Sequence, residues 1–178
     1  MNTPNKLTLM RVIMIVPFVF CMLSDLVPHR FLWAFLLFVT ASLTDMLDGY
    51  LARRDNLVTN FGKFMDPLAD KLLVCSAMIC LVDMSRIPSW IVIIIIGREF
   101  VISGFRLIAS DNGVVIAANY WGKCKTVCQM FMIIMLIANL GGGFVIVEQI
   151  LIYASLILTV ISLITYLWQN RSVLSMQE

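Results

Sequence analysis

The sequence predicts an all-α integral membrane protein with six transmembrane helices. Of its 178 residues, 61% are hydrophobic, and the mean hydropathy is +0.94, whereas an ordinary soluble domain is about half apolar. Residues 126–147 and 149–170 contain no charged residue and are separated only by Glu148. Since about 20 apolar residues span a bilayer core, each run is long enough to cross. No polar linker or internal repeat divides the chain, which predicts a single domain over residues 1–178.

The helices are predicted from apolar runs bounded by charges and loop residues, over residues 5–25, 30–53, 61–83, 87–109, 122–140 and 145–169. The first follows a basic start, as in a signal peptide, but it has no small-x-small cleavage site and is interpreted as a retained helix. The second begins at Arg30, after a short loop. The uncharged run of the third covers only residues 72–82, about 16 Å at the rise of an α-helix. This helix must therefore include Lys71 and Asp70 in order to cross.

The fourth helix follows Arg86, and the last two correspond to the long uncharged runs. With this arrangement, all but two of the 13 basic residues fall on one side of the membrane; the exceptions are Arg30 and Arg86. Basic residues favour the cytoplasmic side, so both termini are predicted to be cytoplasmic.

A group of four carboxylates is the main polar feature of this apolar chain: Asp45, Asp48, Asp66 and Asp70. The first two are three residues apart and the last two are four apart, so each pair lies on one face of its helix. The second and third helices are antiparallel neighbours because their connection is short. All four carboxylates lie roughly 20–27 Å from the outer ends of these helices, counted by helical rise. They therefore share one depth, in a predicted polar cavity open to the cytoplasm.

This carboxylate group predicts a metal site. Oxygen ligands without His or Cys favour Mg²⁺ or Mn²⁺ over zinc or copper, and two such ions can assist an in-line phosphoryl displacement. Gly49 and Ala52 leave room for a ligand or a helix backbone, and Arg53 supplies a planar cation suited to phosphate. Structural roles remain open, because small residues also pack membrane helices and Asp66 can cap the third helix ahead of Pro67.

The order and spacing D-x2-D-G-x2-A-R-x8-G-x3-D-x3-D, present from Asp45 to Asp70, resemble the signature of the CDP-alcohol phosphotransferase family. All eight fixed positions of the signature are present. The segment 4–11 also resembles the amino-terminal segment of that family. Gly97-Arg98-Glu99, Arg106 and the segment 122–126 resemble the branch of the family that makes phosphatidylglycerophosphate.

The resemblance implies a reaction, in which an acceptor hydroxyl attacks the lipid-side β-phosphoryl group of CDP-diacylglycerol and CMP leaves. It implies two divalent cations, Mg²⁺ or Mn²⁺, held by Asp45, Asp48, Asp66 and Asp70, with Asp70 also the general base. The implied contacts to the cytidine diphosphate are Asn5, Thr8, Asp45, Gly49, Ala52, Arg53 and Gly62. Family members are usually homodimers, so a homodimer is expected, in the inner (cytoplasmic) membrane with its active site facing the cytoplasm. The expected partners are these substrates and membrane lipids, with no nucleic acid.

Four basic residues predict a pocket for an acceptor that itself carries phosphate, namely sn-glycerol 3-phosphate: Arg98, Arg106, Lys123 and Lys125. Arg98 lies about 18 Å along the fourth helix from Arg86, too deep for a residue that only sets topology. Arg106 lies about two turns further, on broadly the same face. For Lys125 a second interpretation is contact with anionic lipids at the inner surface.

Three other functions stay open at this point. The same family chemistry could use phosphatidylglycerol, as in cardiolipin synthesis, or inositol phosphate, although the segment Gly122-Lys123-Cys124-Lys125-Thr126 favours glycerol phosphate. A divalent-cation or proton transporter would spread its carboxylates along a transmembrane path and would leave Gly49, Ala52 and Arg53 unexplained. A purely structural scaffold predicts that Asp→Asn changes are harmless to activity.

Overall fold

The computed structural model describes residues 3–54, 60–111, 116 and 119–171, with side chains over 9–44, 68–69, 71–110, 116 and 119–171. Within these residues the chain forms six α-helices: α1 (Thr3–Leu23), α2 (Arg30–Arg54), α3 (Asn60–Asp83), α4 (Ser89–Asp111), α5 (Tyr120–Ala138) and α6 (Phe144–Gln169). Every boundary lies within two residues of its predicted position. The all-α architecture with six helices is therefore confirmed for the described part of the chain.

Two of these helices, α5 and α6, are long and apolar enough to cross a membrane by length and composition. In α6 the exposed side chains are largely apolar, which indicates that the outer surface of this helix faces an apolar environment. Its exposed face carries side chains such as Ile150, Ile157 and Ile164. Its buried face contains Ile152 and Tyr166 together with four polar residues: Glu148, Ser155, Thr159 and Ser162. A soluble helix places its apolar residues inward. The reverse arrangement fits a helix whose polar groups are satisfied by protein and whose outer surface meets lipid.

One compact unit comprises residues 1–86 together with 136–139. In it α1 packs against α2 and α3. Residues spaced by one helical turn along α1, including Ile15, Phe18 and Met22, form its buried stripe, and the Phe18 ring lies 5.8 Å from the Phe38 ring of α2. The stripe also contains Arg11, which is 1% exposed, so this unit buries a guanidinium group in a largely apolar core.

The turn after α3 is a Schellman motif, which ends the helix without glycine. Ser85 has a φ of 57°, and the backbone N–H groups of Ser85 and Arg86 donate to the carbonyls of Val82 and Leu81 at 2.8 Å each. This pattern satisfies the last carbonyls of a helix. The Arg86 guanidinium donates to the side-chain oxygen of Asn139, which joins this turn to the end of α5.

The second unit comprises residues 87–135 together with 140–178. Here α4 packs against α6, and the buried residues Ile102, Phe105, Ala109 and Tyr166 form one apolar cluster. The Phe105 and Tyr166 rings meet edge to face at 5.9 Å. The polar contacts of this unit lie beside that cluster, and they include three of the predicted acceptor residues, Arg98, Arg106 and Lys125.

Candidate functional site

The acidic motif lies on two helices. Asp45, Asp48, Gly49, Ala52 and Arg53 belong to the last turns of α2, and Gly62, Asp66 and Asp70 belong to the first turns of α3. Asn5 and Thr8 belong to α1. Only the backbone of these ten residues is described. Their assignment to metal ions and nucleotide therefore stays a prediction. The helices that this assignment assumes are present in the structure.

A second group of predicted residues is centred on Arg98, whose guanidinium group is buried in α4. Arg98 is 7% exposed. Its Nη1 donates to Oε1 of Glu99 at 2.9 Å, and its Nη2 donates to the Oγ of Ser162 on α6. Its Nε is buried and has no hydrogen-bond partner among the described residues. A buried donor left unsatisfied costs about 1–3 kcal/mol, so this edge of the guanidinium is suited to an anionic ligand.

Lys125 brings a second cation to the same carboxylate. This residue of α5 is 2% exposed, and its Nζ lies 2.5 Å from the Oε1 of Glu99 that also accepts from Arg98. Contact with lipid headgroups at the surface is therefore wrong as an interpretation of Lys125, because protein covers the side chain. Two cations around one carboxylate give this cluster a net positive charge, which favours binding of an anion.

The first turn of α5 lies against the cluster. The Asn119 side chain caps this helix, since its Oδ1 accepts from the Gly122 N–H at 2.8 Å, and its Nδ2 donates to the Thr165 hydroxyl of α6 at 3.1 Å. A Cβ atom added at Gly122 would lie 2.8 Å from Asn119 Oδ1 and 3.3 Å from Arg98 Nη2. Glycine at this position thus allows the helix to approach the guanidinium closely.

We expect Gly122→Ala to melt at a lower temperature than Gly104→Ala, because the new Cβ at position 122 displaces the Asn119 cap. Loss of such a cap costs about 1 kcal/mol. Gly104→Ala is the matched control, since its Cβ would meet nothing within 4 Å and alanine stabilises a helix by about 1 kcal/mol over glycine. Thermal unfolding of both variants in the same detergent measures the difference. A Gly122→Ala protein as stable as Gly104→Ala would contradict the tight approach of α5.

The other two predicted basic residues, Arg106 and Lys123, are exposed.

 Arg106 lies two turns beyond Arg98 on α4, where its guanidinium stacks over the Tyr166 ring at 5.7 Å and its Nε donates to the Tyr166 hydroxyl at 3.3 Å. Lys123 follows Gly122 in the first turns of α5. The structure thus joins Arg98 and Lys125 through Glu99, and it places Arg106 against Tyr166 instead of in that cluster.

Sequence reasoning missed the contribution of α6 to this site. Ser162, Thr165 and Tyr166 each contact a residue of α4 or the residue that caps α5. The available signal was the spacing of Ser155, Thr159, Ser162 and Tyr166, which places hydroxyl groups on one face of an otherwise apolar helix. Glu99 was noticed only as part of a motif, although it joins the two buried cations.

Comparisons with known proteins all indicate the same family. The sequence model of the family described as CDP-alcohol phosphatidyltransferase matches residues 1–161. A Bacillus subtilis protein named CDP-diacylglycerol–glycerol-3-phosphate 3-phosphatidyltransferase is 48% identical over 143 residues, which cover 74% of each chain. A Haemophilus influenzae protein of the same name is 39% identical over 171 residues, covering 93% of this chain and 91% of that protein. A Mycobacterium tuberculosis protein named probable phosphatidylglycerophosphate synthase is 36% identical over 169 residues, covering 93% of this chain and 79% of that protein.

Proposed function

The chain belongs to the CDP-alcohol phosphatidyltransferase family, and on that premise we propose that it transfers the phosphatidyl group of CDP-diacylglycerol to sn-glycerol 3-phosphate. The products are phosphatidylglycerophosphate and CMP. The names of the relatives from Bacillus subtilis and Haemophilus influenzae state this donor and this acceptor. The similarity covers most of both chains, which supports a shared reaction and not only a shared motif.

The observation that supports an acceptor with a phosphate group is the buried cluster of Arg98, Glu99 and Lys125. The choice of glycerol 3-phosphate over inositol phosphate follows from the names of the relatives. Arg98 and Lys125 are almost fully covered by protein, yet they share a single carboxylate oxygen. A phosphomonoester offers the charge that this cluster lacks and oxygen atoms for the Arg98 Nε. Charge-assisted hydrogen bonds of this kind are stronger than neutral ones. In this proposal Arg106 and Lys123 add positive potential near the same phosphate.

The acidic motif is proposed to bind two divalent cations, Mg²⁺ or Mn²⁺, through Asp45, Asp48, Asp66 and Asp70. The donor set fits such ions because it consists of carboxylate oxygens alone, and the family is generally dependent on divalent cations. When bound, the ions supply charge stabilisation to the pyrophosphate oxygens and to the leaving CMP. Asn5, Thr8, Gly49, Ala52, Arg53 and Gly62 are the proposed contacts to the cytidine diphosphate.

The proposed chemical step is one in-line displacement. The acceptor hydroxyl oxygen forms a bond to the β-phosphorus that carries diacylglycerol, and the bond from this phosphorus to the bridging oxygen of the pyrophosphate breaks. CMP leaves with that oxygen. Asp70 takes the proton of the attacking hydroxyl as general base. The cluster of Arg98, Glu99 and Lys125 is proposed to bind the phosphate group of glycerol 3-phosphate.

We further propose six membrane spans, cytoplasmic termini, a cytoplasmic cavity and a location in the inner membrane. Support comes from the four tryptophans, which are exposed and lie close to helix ends: Trp33 in α2, Trp90 in α4, Trp121 in α5 and Trp168 in α6. Tryptophan is enriched where membrane spans meet the two interfaces. A homodimer is proposed from the family resemblance alone.

Release of CMP from CDP-diacylglycerol in detergent micelles with Mg²⁺ or Mn²⁺ tests the acceptor. Glycerol 3-phosphate, inositol phosphate and phosphatidylglycerol are supplied in separate reactions. Release that depends on glycerol 3-phosphate alone is the expected result. Release with one of the other two acceptors would keep the family reaction and overturn the proposed acceptor. Ion flux in proteoliposomes without any CMP release would favour the transporter instead.

A further inference from the structure

Ser162 is the one contact that the Arg98 guanidinium makes to α6 among the described residues. Its hydroxyl is fully buried and accepts from Nη2 of Arg98. The other terminal nitrogen of the guanidinium, Nη1, donates to Glu99 at 2.9 Å. Two anchors on different helices fix both the position and the plane of the group, which a single ion pair does not do.

The anchored guanidinium lies directly beneath the first turn of α5. A Cβ atom placed on Gly122 would be 3.3 Å from Arg98 Nη2 and 3.5 Å from Ser162 Oγ. Ser162 and Arg98 therefore meet at the surface of this turn. The Asn119–Thr165 contact of 3.1 Å holds the start of α5 to α6 three residues further along that helix. A small shift of Arg98 here would change its distance to every other group of the site.

From this geometry we infer that Ser162 is a positioning residue for the acceptor: its hydroxyl holds Nη2 of Arg98 so that the Nε edge remains directed to the acceptor phosphate. This inference rests on the proposed function, because it assumes that Arg98 binds that phosphate. Ser162 itself touches no reacting atom in this scheme. Its removal should weaken acceptor binding through Arg98 and leave the donor and the chemical step unchanged.

The chain offers a matched control in Ser155, two helical turns earlier on the same face of α6. Ser155 is also fully buried, but its hydroxyl contacts Cys128 Sγ at 3.7 Å instead of a cation. Ser155→Ala and Ser162→Ala remove the same atom from equally buried positions. Ser162→Cys keeps the volume of the side chain and removes the strong acceptor, so it separates a lost hydrogen bond from a cavity.

For Ser162→Ala and Ser162→Cys we expect the KM for glycerol 3-phosphate to rise roughly fivefold to tenfold, the range for one lost hydrogen bond. The KM for CDP-diacylglycerol and kcat should stay within about twofold of the wild type. Ser155→Ala should leave all three values within the same limit. In an Arg98→Gln background, Ser162→Ala should have no further effect on the KM for glycerol 3-phosphate, because the two changes act on one interaction.

Two outcomes overturn the inference while the proposed function stands. In one, Arg98→Gln raises the KM for glycerol 3-phosphate but Ser162→Ala does not differ from Ser155→Ala. In the other, the effect of Ser162→Ala persists in the Arg98→Gln background. If Arg98→Gln itself leaves that KM unchanged, or the wild type does not use glycerol 3-phosphate, then the proposed acceptor site fails and the inference fails with it.

Discussion

Asp70→Asn is expected to lower the rate of CMP release by roughly 100-fold to 10,000-fold, the contribution of a positioned general base. The amide cannot take the proton of the attacking hydroxyl, and it is also a weaker ligand for a divalent cation. Steady-state rates at saturating donor and acceptor measure the effect. Titration with Mn²⁺, followed by its electron paramagnetic resonance signal, shows separately whether the metal site is retained.

Asp83→Asn is the control for this change, since it makes the same substitution at the other end of α3. Asp83 is exposed at the last residue of the helix, away from the acidic motif in sequence. The rate of CMP release by the Asp83→Asn protein should remain within about twofold of the wild type, as is usual for substitutions away from buried or functional groups. An Asp70→Asn protein that keeps a tenth or more of the wild-type rate would contradict the role of Asp70 as general base.

Arg98→Gln is expected to raise the KM for glycerol 3-phosphate by about 10-fold to 100-fold, since hydrogen bonds to charged groups contribute about 1.5–3 kcal/mol. Lys125 lies 2.5 Å from Glu99 in the unchanged protein, and this pair should persist in the variant. No buried charge is then left uncompensated, but the cluster loses its net positive charge. The KM for CDP-diacylglycerol should change little. The measurement is a pair of saturation curves, one for each substrate.

Two further variants test which properties of Arg98 account for this effect on the KM for glycerol 3-phosphate. Arg98→Lys keeps the charge and loses the planar set of donors, so its KM for glycerol 3-phosphate should fall between those of the wild type and Arg98→Gln. Lys123→Gln should raise this KM by no more than about threefold, because Lys123 is exposed and an exposed charge is screened by water and salt. Equal effects of Lys123→Gln and Arg98→Gln would show that burial does not decide which cation binds the phosphate.

The positions of the helices could be predicted from the sequence because long apolar runs and their bounding charges determine them directly. The third helix shows this well. Its uncharged run is too short to cross a bilayer, which required an extension past Asp70, and α3 begins at Asn60. The polar contacts between helices were harder to predict, since periodicity gives the face of a residue but not the register between neighbouring helices.

The hydroxyl groups of α6 illustrate this limit. The Thr159 hydroxyl donates to the Ser155 carbonyl of its own helix at 2.7 Å, as serine and threonine commonly do in helices, whereas Ser162 accepts from a residue of α4. Nothing in the sequence distinguishes these two cases. The same limit applies to Arg106: the sequence places it on broadly the same face of α4 as Arg98, and both side chains contact α6, but the sequence does not give the contact with Tyr166. The family signature, by contrast, could be identified from residue identity and spacing alone.

The most direct test of the proposed function follows labelled glycerol 3-phosphate into lipid. Purified protein is incubated with CDP-diacylglycerol, a divalent cation and glycerol 3-phosphate labelled in its glycerol carbons, and both the organic extract and the released CMP are quantified. Transfer predicts one labelled lipid for each CMP, with phosphatidylglycerophosphate identified by mass spectrometry and both signals abolished by a chelator. CMP release without label in the lipid would contradict the proposed transfer.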